Sequence, residues 1–302
     1  MPQWAGSSWY FLRYQSPSDD NNVVNPEAHK YWGQVDWYNG GMEHVTRHLI
    51  YSRFWNQFLY DIGVVEHEEP YLRRSAQGLI LGADGEKMSK SRGNVVNPDD
   101  VVKQYGADIL RLFIMFIGDY EKPAPWSAEG IKGCNRFHQR FWALQDIMVE
   151  NCDTSDLNLD VLVKGVSDDY ENCKFNTAIA KIMTALNTVV SRGKVSKKEL
   201  NTMAILLNPV APHMTSELYE IINDGAKIEK AKWPTYDPQK LIDDSVEIPV
   251  QIMGKLKGRV TVSRGATQEE VMEKVTELGV LNGLNVMKII YVKDKIINIV
   301  AK

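Results

Sequence analysis

The spacing of apolar residues changes twice along this 302-residue chain, and that change constrains the fold more than any other sequence feature. Up to about residue 120, short apolar runs alternate with stretches of helical periodicity. From there to about residue 225 the periodicity is helical throughout, and from Val246 onward apolar residues recur at every second position. The sequence therefore predicts a multidomain protein of class α/β, then α, then α+β.

The predicted domain boundaries follow these changes. Pro123 and Pro125 interrupt the chain at the first change, so we assign residues 1–122 to an α/β domain and residues 123–240 to a helix bundle. Residues 245–302 form the third predicted domain, a small ββαββ module. Its helix is expected to start at Thr267, which forms a capping-box pattern with Glu270.

Within the first domain, Met42–Ile62 is predicted to be an amphipathic helix. The apolar face of this helix would consist of Val45, Leu49, Phe54, Phe58 and Ile62. The run Gly78–Gly82 is typical of a short buried strand that leads into the polar loop 84–94. Asn97 and Pro98 are expected to begin the next helix, as cap and first-turn residue.

Composition limits the possible partners and compartments. The whole chain has a net charge of −4, but residues 245–302 carry nine Lys and Arg against six Asp and Glu. That excess indicates either an anionic partner or an ordinary solvated basic face, and charge alone does not separate the two. No apolar run approaches the length of a membrane span, and the first residues lack the pattern of a secretory signal, so the cytoplasm is the expected location.

The loop that contains Lys87-Met88-Ser89-Lys90-Ser91 carries the clearest chemical pattern. Two ammonium groups and two hydroxyl groups lie within five residues, between flanking glycines. Lysines in such a loop can stabilise the negative charge that develops when the α-phosphate of ATP is attacked. A solvated basic loop is the alternative for two lysines in this setting, but the complete five-residue string favours nucleotide chemistry.

His44 and His48 are spaced to share one face of a helix, which is also the spacing of two zinc ligands. The sequence shows no third ligand near them, and Val45 stands where a zinc peptidase needs a glutamate. The three cysteines, Cys134, Cys152 and Cys173, form no C-x-x-C pair. We therefore expect no metal site.

The five-residue string resembles the KMSKS motif of the class I aminoacyl-tRNA synthetases. Its continuation at Arg92–Asn94 and the later Tyr105–Asp108 strengthen the resemblance to the subgroup for leucine, isoleucine, valine and methionine. Three further segments resemble the leucyl enzymes in particular: Trp9–Tyr14, Gly40–His44 with His48, and Val250–Lys255. In the bundle, Asn208–Met214 and Trp233-Pro234 resemble the anticodon-binding domain of the subgroup, which implies a tRNA docking surface.

The resemblance implies roles for residues at matching motif positions. Lys87 and Lys90 would be catalytic, and the ATP-binding set would comprise Gly41, Glu43, Lys87, Met88, Ser89, Lys90 and Ser91. The leucine pocket would be lined by Ser8, Tyr10, Tyr38, His44 and His48. The tRNA phosphates would be met by Lys255, Lys257, Arg259 and Arg264. ATP with Mg²⁺ is the implied nucleotide substrate, and leucine and leucine tRNA are the other implied substrates.

The resemblance also implies a missing part. The Rossmann catalytic domain of the family has a first half with a His-x-Gly-His motif, and this string does not occur in the chain. We expect the second half of that domain only, inactive alone but able to bind tRNA, with the missing N-terminal half as a partner. A subunit of a naturally split synthetase and a non-catalytic tRNA-binding module are the alternatives.

Overall fold

A computed structural model describes residues 3–241, 245–263, 265–281 and 283–301. The chain forms two compact units, Met1–Pro234 and Thr235–Lys302. The predicted boundary near residue 122 falls inside the first unit and stays a prediction.

The first part of the first unit consists of short helices and two-residue strands. In chain order its elements are a 3-10 turn Gly6–Ser8, α1 Tyr10–Arg13, α2 Pro26–Trp32, β1 Tyr38–Asn39, a 3-10 turn Met42–His44, α3 His48–Asp61, β2 Arg74–Ser75, β3 Ile80–Leu81, a 3-10 turn Lys90–Arg92, α4 Pro98–Tyr105, α5 Ala107–Phe116 and β4 Ala124–Pro125. Strand β1 pairs in parallel with β2, and β3 pairs in parallel with β4. Helix α4 starts as predicted, because Asn97 Oδ1 accepts the N–H of Asp99 at 3.2 Å.

The predicted helix over Met42–Ile62 is wrong in its start and in its buried face. Helix α3 begins only at His48, because the backbone of Arg47 is non-helical, with φ −128° and ψ −101°. Phe54 and Phe58, predicted to be buried, are 62% and 46% exposed. The buried residues of α3 are His48, Leu49, Ser52, Asn56 and Leu59.

Hydrogen bonds explain why polar residues of α3 are buried. The amide of Asn56 donates to the backbone carbonyls of His67 and Glu68 at 2.8 and 2.9 Å. Ser52 Oγ accepts the hydroxyl of Tyr71 at 2.8 Å. A buried polar side chain is tolerated where it is hydrogen-bonded, and a count of apolar spacing does not detect this.

The strand predicted over Gly78–Gly82 is reduced to β3, which is only half-buried. Gly78 is needed for a close approach of two backbones, since a Cβ at this position would overlap the carbonyl group of Lys122. The N–H of Gly78 donates to the carbonyl of Tyr120 at 2.7 Å. These contacts fix β3, and the loop that follows it, against the segment before β4.

The rest of the first unit is a helix bundle. Its elements are α6 Ala128–Trp142, a 3-10 turn Ala143–Ile147, β5 Met148–Val149, α7 Leu159–Glu171, α8 Phe175–Arg192, β6 Val195–Ser196, α9 Lys197–Leu207, α10 Pro212–Ile222 and a 3-10 turn Ile228–Lys230. Ile179, Ile182 and Leu186 of α8 are fully buried, whereas Val190 is 39% exposed. The bundle core is continuous with α5, because Phe113 belongs to the same buried cluster.

The second unit has the element order ββαββ after a 3-10 turn at Pro238–Leu241. Its elements are β7 Ser245–Ile252, β8 Lys255–Ser263, α11 Gln268–Glu277, β9 Val286–Val292 and β10 Ile296–Ala301. The sheet order is β8-β7-β10-β9, with antiparallel hairpins outside and the parallel pair β7–β10 at the centre. The Thr267–Glu270 capping box is present. None of the described helices of the chain is both long and apolar enough to cross a bilayer.

Candidate active site

Aromatic and imidazole rings from separate segments meet around His48, at the start of α3. The ring of Tyr10 stacks on His48 with centroids 5.7 Å apart, and the ring of Tyr38 lies 5.5 Å from it. His44 approaches edge-on at 6.2 Å. The structure therefore brings together four of the five residues predicted to line the leucine pocket.

Ser8, the fifth of these residues, lies in the 3-10 turn that packs against α3 and is fully buried. Its hydroxyl donates to the carbonyl of Trp4. The ring of Trp4 lies 6.3 Å from His44 and 6.1 Å from Tyr51. Ser8 is thus buried in the turn that packs against α3, and its hydroxyl is already engaged by the main chain.

Tyr71 belongs to the same cluster, and the sequence analysis missed it. Its hydroxyl, which donates to Ser52, lies 3.3 Å from His48 Nε2, and its ring lies 5.0 Å from Tyr38. No short motif surrounds Tyr71 in the sequence. Its position follows from a parallel bridge to Val35, a long-range pairing that local patterns do not reveal.

His48 and the three tyrosines of the ring cluster are uncharged near neutral pH. Burial, and next the neighbouring His44, lowers the pKa of His48, so its imidazole is neutral. Burial likewise raises the pKa of Tyr10, Tyr38 and Tyr71, so the phenols keep their protons. Neutral rings with polar tips form walls that suit an aliphatic side chain, and they favour binding over proton transfer.

Gly40 and Gly41 connect this cluster to the residues predicted to approach the ribose. A Cβ on Gly40 would lie 2.7 Å from the ring of Tyr38. A Cβ on Gly41 would overlap the carboxylate of Glu43, which is exposed. Gly40 therefore leaves room for the ring of Tyr38, two residues before it, and Gly41 leaves room for the carboxylate of Glu43, two residues after it.

The KMSKS loop, Lys87–Ser91, lies between β3 and α4. The N–H of Ser89 donates to Asn94 Oδ1 at 2.9 Å, and the hydroxyls of Ser89 and Ser91 are 3.2 Å apart. Lys87 and Lys90 are exposed, and within the described ranges neither has an acidic partner at ion-pair distance. Met88 is half-buried. The loop thus presents two unneutralised ammonium groups to solvent.

The KMSKS loop and the ring cluster are held by different neighbours in the described part of the chain. The loop is hydrogen-bonded to Asn94 of its own segment. The ring cluster is assembled from Tyr10 of α1, Tyr38 of β1, His44 of the 3-10 turn, His48 of α3 and Tyr71. Both predicted sets lie in the first unit.

The basic residues predicted to meet tRNA lie on β8 in the second unit. Lys255, Lys257 and Arg259 are exposed. Arg259 pairs with Glu247 at 2.9 Å, so its charge is partly neutralised. Arg264 lies outside the described residues.

Among the residues that the structure describes, no group of three or more His, Cys, Asp or Glu side chains could hold a metal ion. His44 and His48 contact each other ring to ring, and His48 Nε2 faces the hydroxyl of Tyr71. The two histidines are part of the ring cluster.

Two family models match the chain. Residues 44–127 match the tRNA synthetases class I (I, L, M and V), and residues 158–273 match the anticodon-binding domain of tRNA ligase. A leucine–tRNA ligase from Alkaliphilus oremlandii is 51% identical over 309 aligned residues, which cover 100% of this chain and 38% of that protein. The chain thus spans less than half the length of this relative.

Solved structures give the same result. The ternary complex of LeuRS, tRNA and LeuAMS from Agrobacterium radiobacter matches with a TM-score of 0.74 and 31% identity, over 98% of this chain and 41% of that one. Methionyl-tRNA synthetase of Mycobacterium tuberculosis bound by methionyl-adenylate matches with a TM-score of 0.52 and 20% identity, over 72% of this chain and 49% of that one, which shows the fold alone. The resemblance inferred from the sequence is confirmed: the chain is homologous to part of leucine–tRNA ligase, and its residues 44–127 match the class I tRNA synthetase family.

Proposed function

We propose that this chain supplies the phosphate-binding loop and the leucine-pocket walls of a leucine–tRNA ligase. The observation that carries the proposal is the KMSKS loop itself, where the ammonium groups of Lys87 and Lys90 are exposed and unpaired among the described residues. Two free cations are what a polyphosphate substrate requires.

In the proposed reaction, the carboxylate of leucine attacks the α-phosphate of ATP, so that leucyl-adenylate forms and pyrophosphate leaves. Negative charge develops on the phosphates during this step, and Lys87 and Lys90 would stabilise it. ATP is taken as its Mg²⁺ complex, with the metal as part of the substrate. A hydroxyl of the terminal ribose of leucine tRNA then takes the leucyl group, and AMP leaves.

The neutral ring cluster around His48 would hold the side chain of leucine. Tyr10, Tyr38 and His44 would form the walls, and Ser8 would support them from below. Gly41 and Glu43 would approach the ribose of ATP, with Met88, Ser89 and Ser91 beside the phosphates. An aliphatic ligand gains most from apolar walls with a few polar groups that fix its orientation.

Docking of leucine tRNA is assigned to the helix bundle and to the basic residues of β8. Phosphate contacts from Lys255, Lys257 and Arg259, and from Arg264, would give an affinity that falls with salt. The missing N-terminal half of the synthetase is the proposed protein partner, and the exposed Phe54 and Phe58 of α3 offer apolar area to such a partner. The cytoplasm, where tRNA is charged, is the proposed compartment.

The test is the exchange of labelled pyrophosphate into ATP, with isoleucine, valine and methionine as controls for leucine. The chain by itself is expected to show no exchange, and addition of the N-terminal half of a related leucine–tRNA ligase is expected to give exchange with leucine only. Exchange by the chain alone would show that its adenylating site is complete. Salt-sensitive tRNA binding without exchange, even after the addition, would support a non-catalytic binding module instead.

A further inference from the structure

Asn94, three residues after the KMSKS string, is hydrogen-bonded to residues within that string and to a residue before it. Its Oδ1 accepts the N–H of Ser89 at 2.9 Å. Its Nδ2 lies 3.2 and 3.1 Å from the two carboxylate oxygens of Asp84, to which it donates, and 3.4 Å from the carbonyl of Lys87. One half-buried amide therefore links the residues before, within and after the loop.

Asp84, on the other side of the loop, is itself held in place. Its Oδ1 accepts the N–H of Glu86 at 3.1 Å. This bond, and next the bonds from Asn94, hold the pKa of the Asp84 carboxyl below its ordinary value, so it stays ionised. Gly82 packs against both side chains, because a Cβ there would lie 2.5 Å from Asp84 Oδ1 and 2.8 Å from Asn94 Nδ2. Asp84 and Asn94 thus form a tightly packed pair.

Lys87 and Lys90 have no side-chain partner of their own in the described residues, so their reach is set by the backbone that carries them. Asn94 binds this backbone at the carbonyl of Lys87 and at the N–H of Ser89. We infer that Asn94, fixed by Asp84, is a positioning residue that holds the KMSKS loop so that both ammonium groups face the phosphates. The effect of Asn94 on the reaction rests on the proposed function, whereas the anchoring of the KMSKS loop by Asn94 does not.

A second side-chain contact, between residues on either side of the KMSKS loop, offers a matched control. Arg92 pairs with Glu86 at 2.8 Å, but the two side chains are 54% and 61% exposed. An exposed ion pair contributes little, because solvent and salt screen it. The variant Glu86→Gln should therefore leave the loop nearly as ordered as before, whereas Asn94→Ala should not.

Limited tryptic digestion tests the anchoring directly. Lys87 and Lys90 are cleavage sites inside the KMSKS loop, and Arg92 is a cleavage site directly after it. Cleavage by a protease follows the population of locally opened chain. We expect Asn94→Ala to be cut in the loop about tenfold faster than the wild type, and Glu86→Gln within about twofold of it. An unchanged urea-unfolding transition of the first unit would show that Asn94→Ala still folds.

A swapped pair separates the specific bond from general disturbance. Asn94→Asp alone places two carboxylates together and should be cut rapidly. Asp84→Asn combined with Asn94→Asp exchanges donor and acceptor and should slow cleavage again in part, because a carboxylate at position 94 still accepts the N–H of Ser89 but cannot donate to the carbonyl of Lys87. In the enzyme completed with its N-terminal half, Asn94→Ala should lower kcat for adenylate formation about tenfold while the KM for leucine and the affinity for tRNA stay unchanged.

The digestion experiment and the kinetic experiment can fail independently of each other. Wild-type rates of loop cleavage in Asn94→Ala, or wild-type kcat in the completed variant, would overturn the inference. If the completed wild type forms no adenylate, the proposed function fails, whereas the digestion rates still decide whether Asn94 anchors the loop.

Discussion

The carboxylate of Asp108, in α5, accepts a hydrogen bond from Nδ1 of His213 at 2.7 Å, although 105 residues separate the two in sequence. The same carboxylate accepts the backbone N–H of Met214 at 2.7 Å, and it is 5% exposed. Asp108 therefore caps the first turn of α10 from a different helix. This contact ties the segment that follows the KMSKS loop to the helix bundle.

Replacement of Asp108 should destabilise the first unit strongly. Asp108→Ala leaves the N–H groups at the start of α10 without their acceptor in a buried place, and we expect a loss of about 3 kcal/mol in the free energy of unfolding. Urea unfolding followed by far-UV circular dichroism measures it. Asp61→Ala, at an exposed position at the end of α3, serves as the control and should change stability by less than about 0.5 kcal/mol.

Stability of the first unit should fall as the pH drops below about 6.5. Burial lowers the pKa of His29, His48 and His138 in the folded state. Below the unfolded pKa, the unfolded chain then binds more protons than the folded chain, so the free energy of unfolding decreases with falling pH. Urea midpoints measured between about pH 7.5 and about pH 5.5 check this direction.

His29 should account for a distinct share of that decrease. Its Nε2 accepts the N–H of Glu66 at 3.3 Å, so the proton resides on Nδ1, which faces Gln15 Oε1 at 3.1 Å. Protonation of Nε2 of His29 would place its N–H against the backbone N–H of Glu66, so that two donors would face each other. His29→Gln should therefore flatten the pH dependence of the urea midpoint, and an unchanged slope would contradict this assignment.

The two capping boxes should differ in strength. Glu199 is fully buried and accepts the N–H of Ser196 at 2.8 Å. Nη2 of Arg192 donates to Oε1 and Oε2 of Glu199 at 2.8 and 2.7 Å. The Thr267 box of α11 is exposed. Ser196→Ala should therefore cost about 2 kcal/mol and Thr267→Ala about 1 kcal/mol, in the unfolding transitions of their respective units.

Removal of the loop lysines should slow adenylate formation in the completed enzyme. Lys87→Ala and Lys90→Ala are each expected to lower kcat about 10²- to 10³-fold, because each removes a cation aimed at developing negative charge. Lys103→Ala, an exposed lysine on α4, is the control and should retain the wild-type rate. Loss of tRNA affinity alone in the two loop variants would favour a binding module over an enzyme.

Binding of leucine tRNA should depend on individual lysines of β8. Lys257→Ala should weaken binding and reduce the slope of log affinity against log salt by about one. Arg259→Ala should have a smaller effect, because Glu247 already neutralises part of its charge. Lys274→Ala, whose lysine pairs with Glu277 at 2.8 Å on α11, is the matched control. Filter binding at several salt concentrations gives these slopes.

Local signals predicted local structure well. The cap at Asn97 and the capping box at Thr267 appear where the sequence places them, because each depends only on residues within one turn. The KMSKS string was predicted to lie in a polar loop, and it does so between β3 and α4. Helix α3 shows where local signals fail, since its buried face depends on hydrogen bonds with Tyr71 and with the carbonyls of His67 and Glu68.

The candidate site was predictable in part. The resemblance named Tyr10, Tyr38, His44 and His48, which the structure places in one cluster. Tyr71 could not be found from local patterns, because only the pairing of distant backbone segments brings it there. The role of Asn94 is likewise visible only when the loop has closed on itself.

The four strands of the second unit do not contribute equally to the stability of its sheet. Strand β10 lies between β7 and β9, so both hairpins meet on it, and it pairs with β7 across most of the unit's sequence. Closing so long a loop is the slow, entropically costly step of assembling such a unit. Until Ile297 and Ile299 dock, β7 and β8 form a two-stranded hairpin with α11 packed against β8, and β7 lacks the pairing that β10 gives it. Strand β10, the fourth strand of the unit, therefore decides whether the first hairpin of the sheet stays folded.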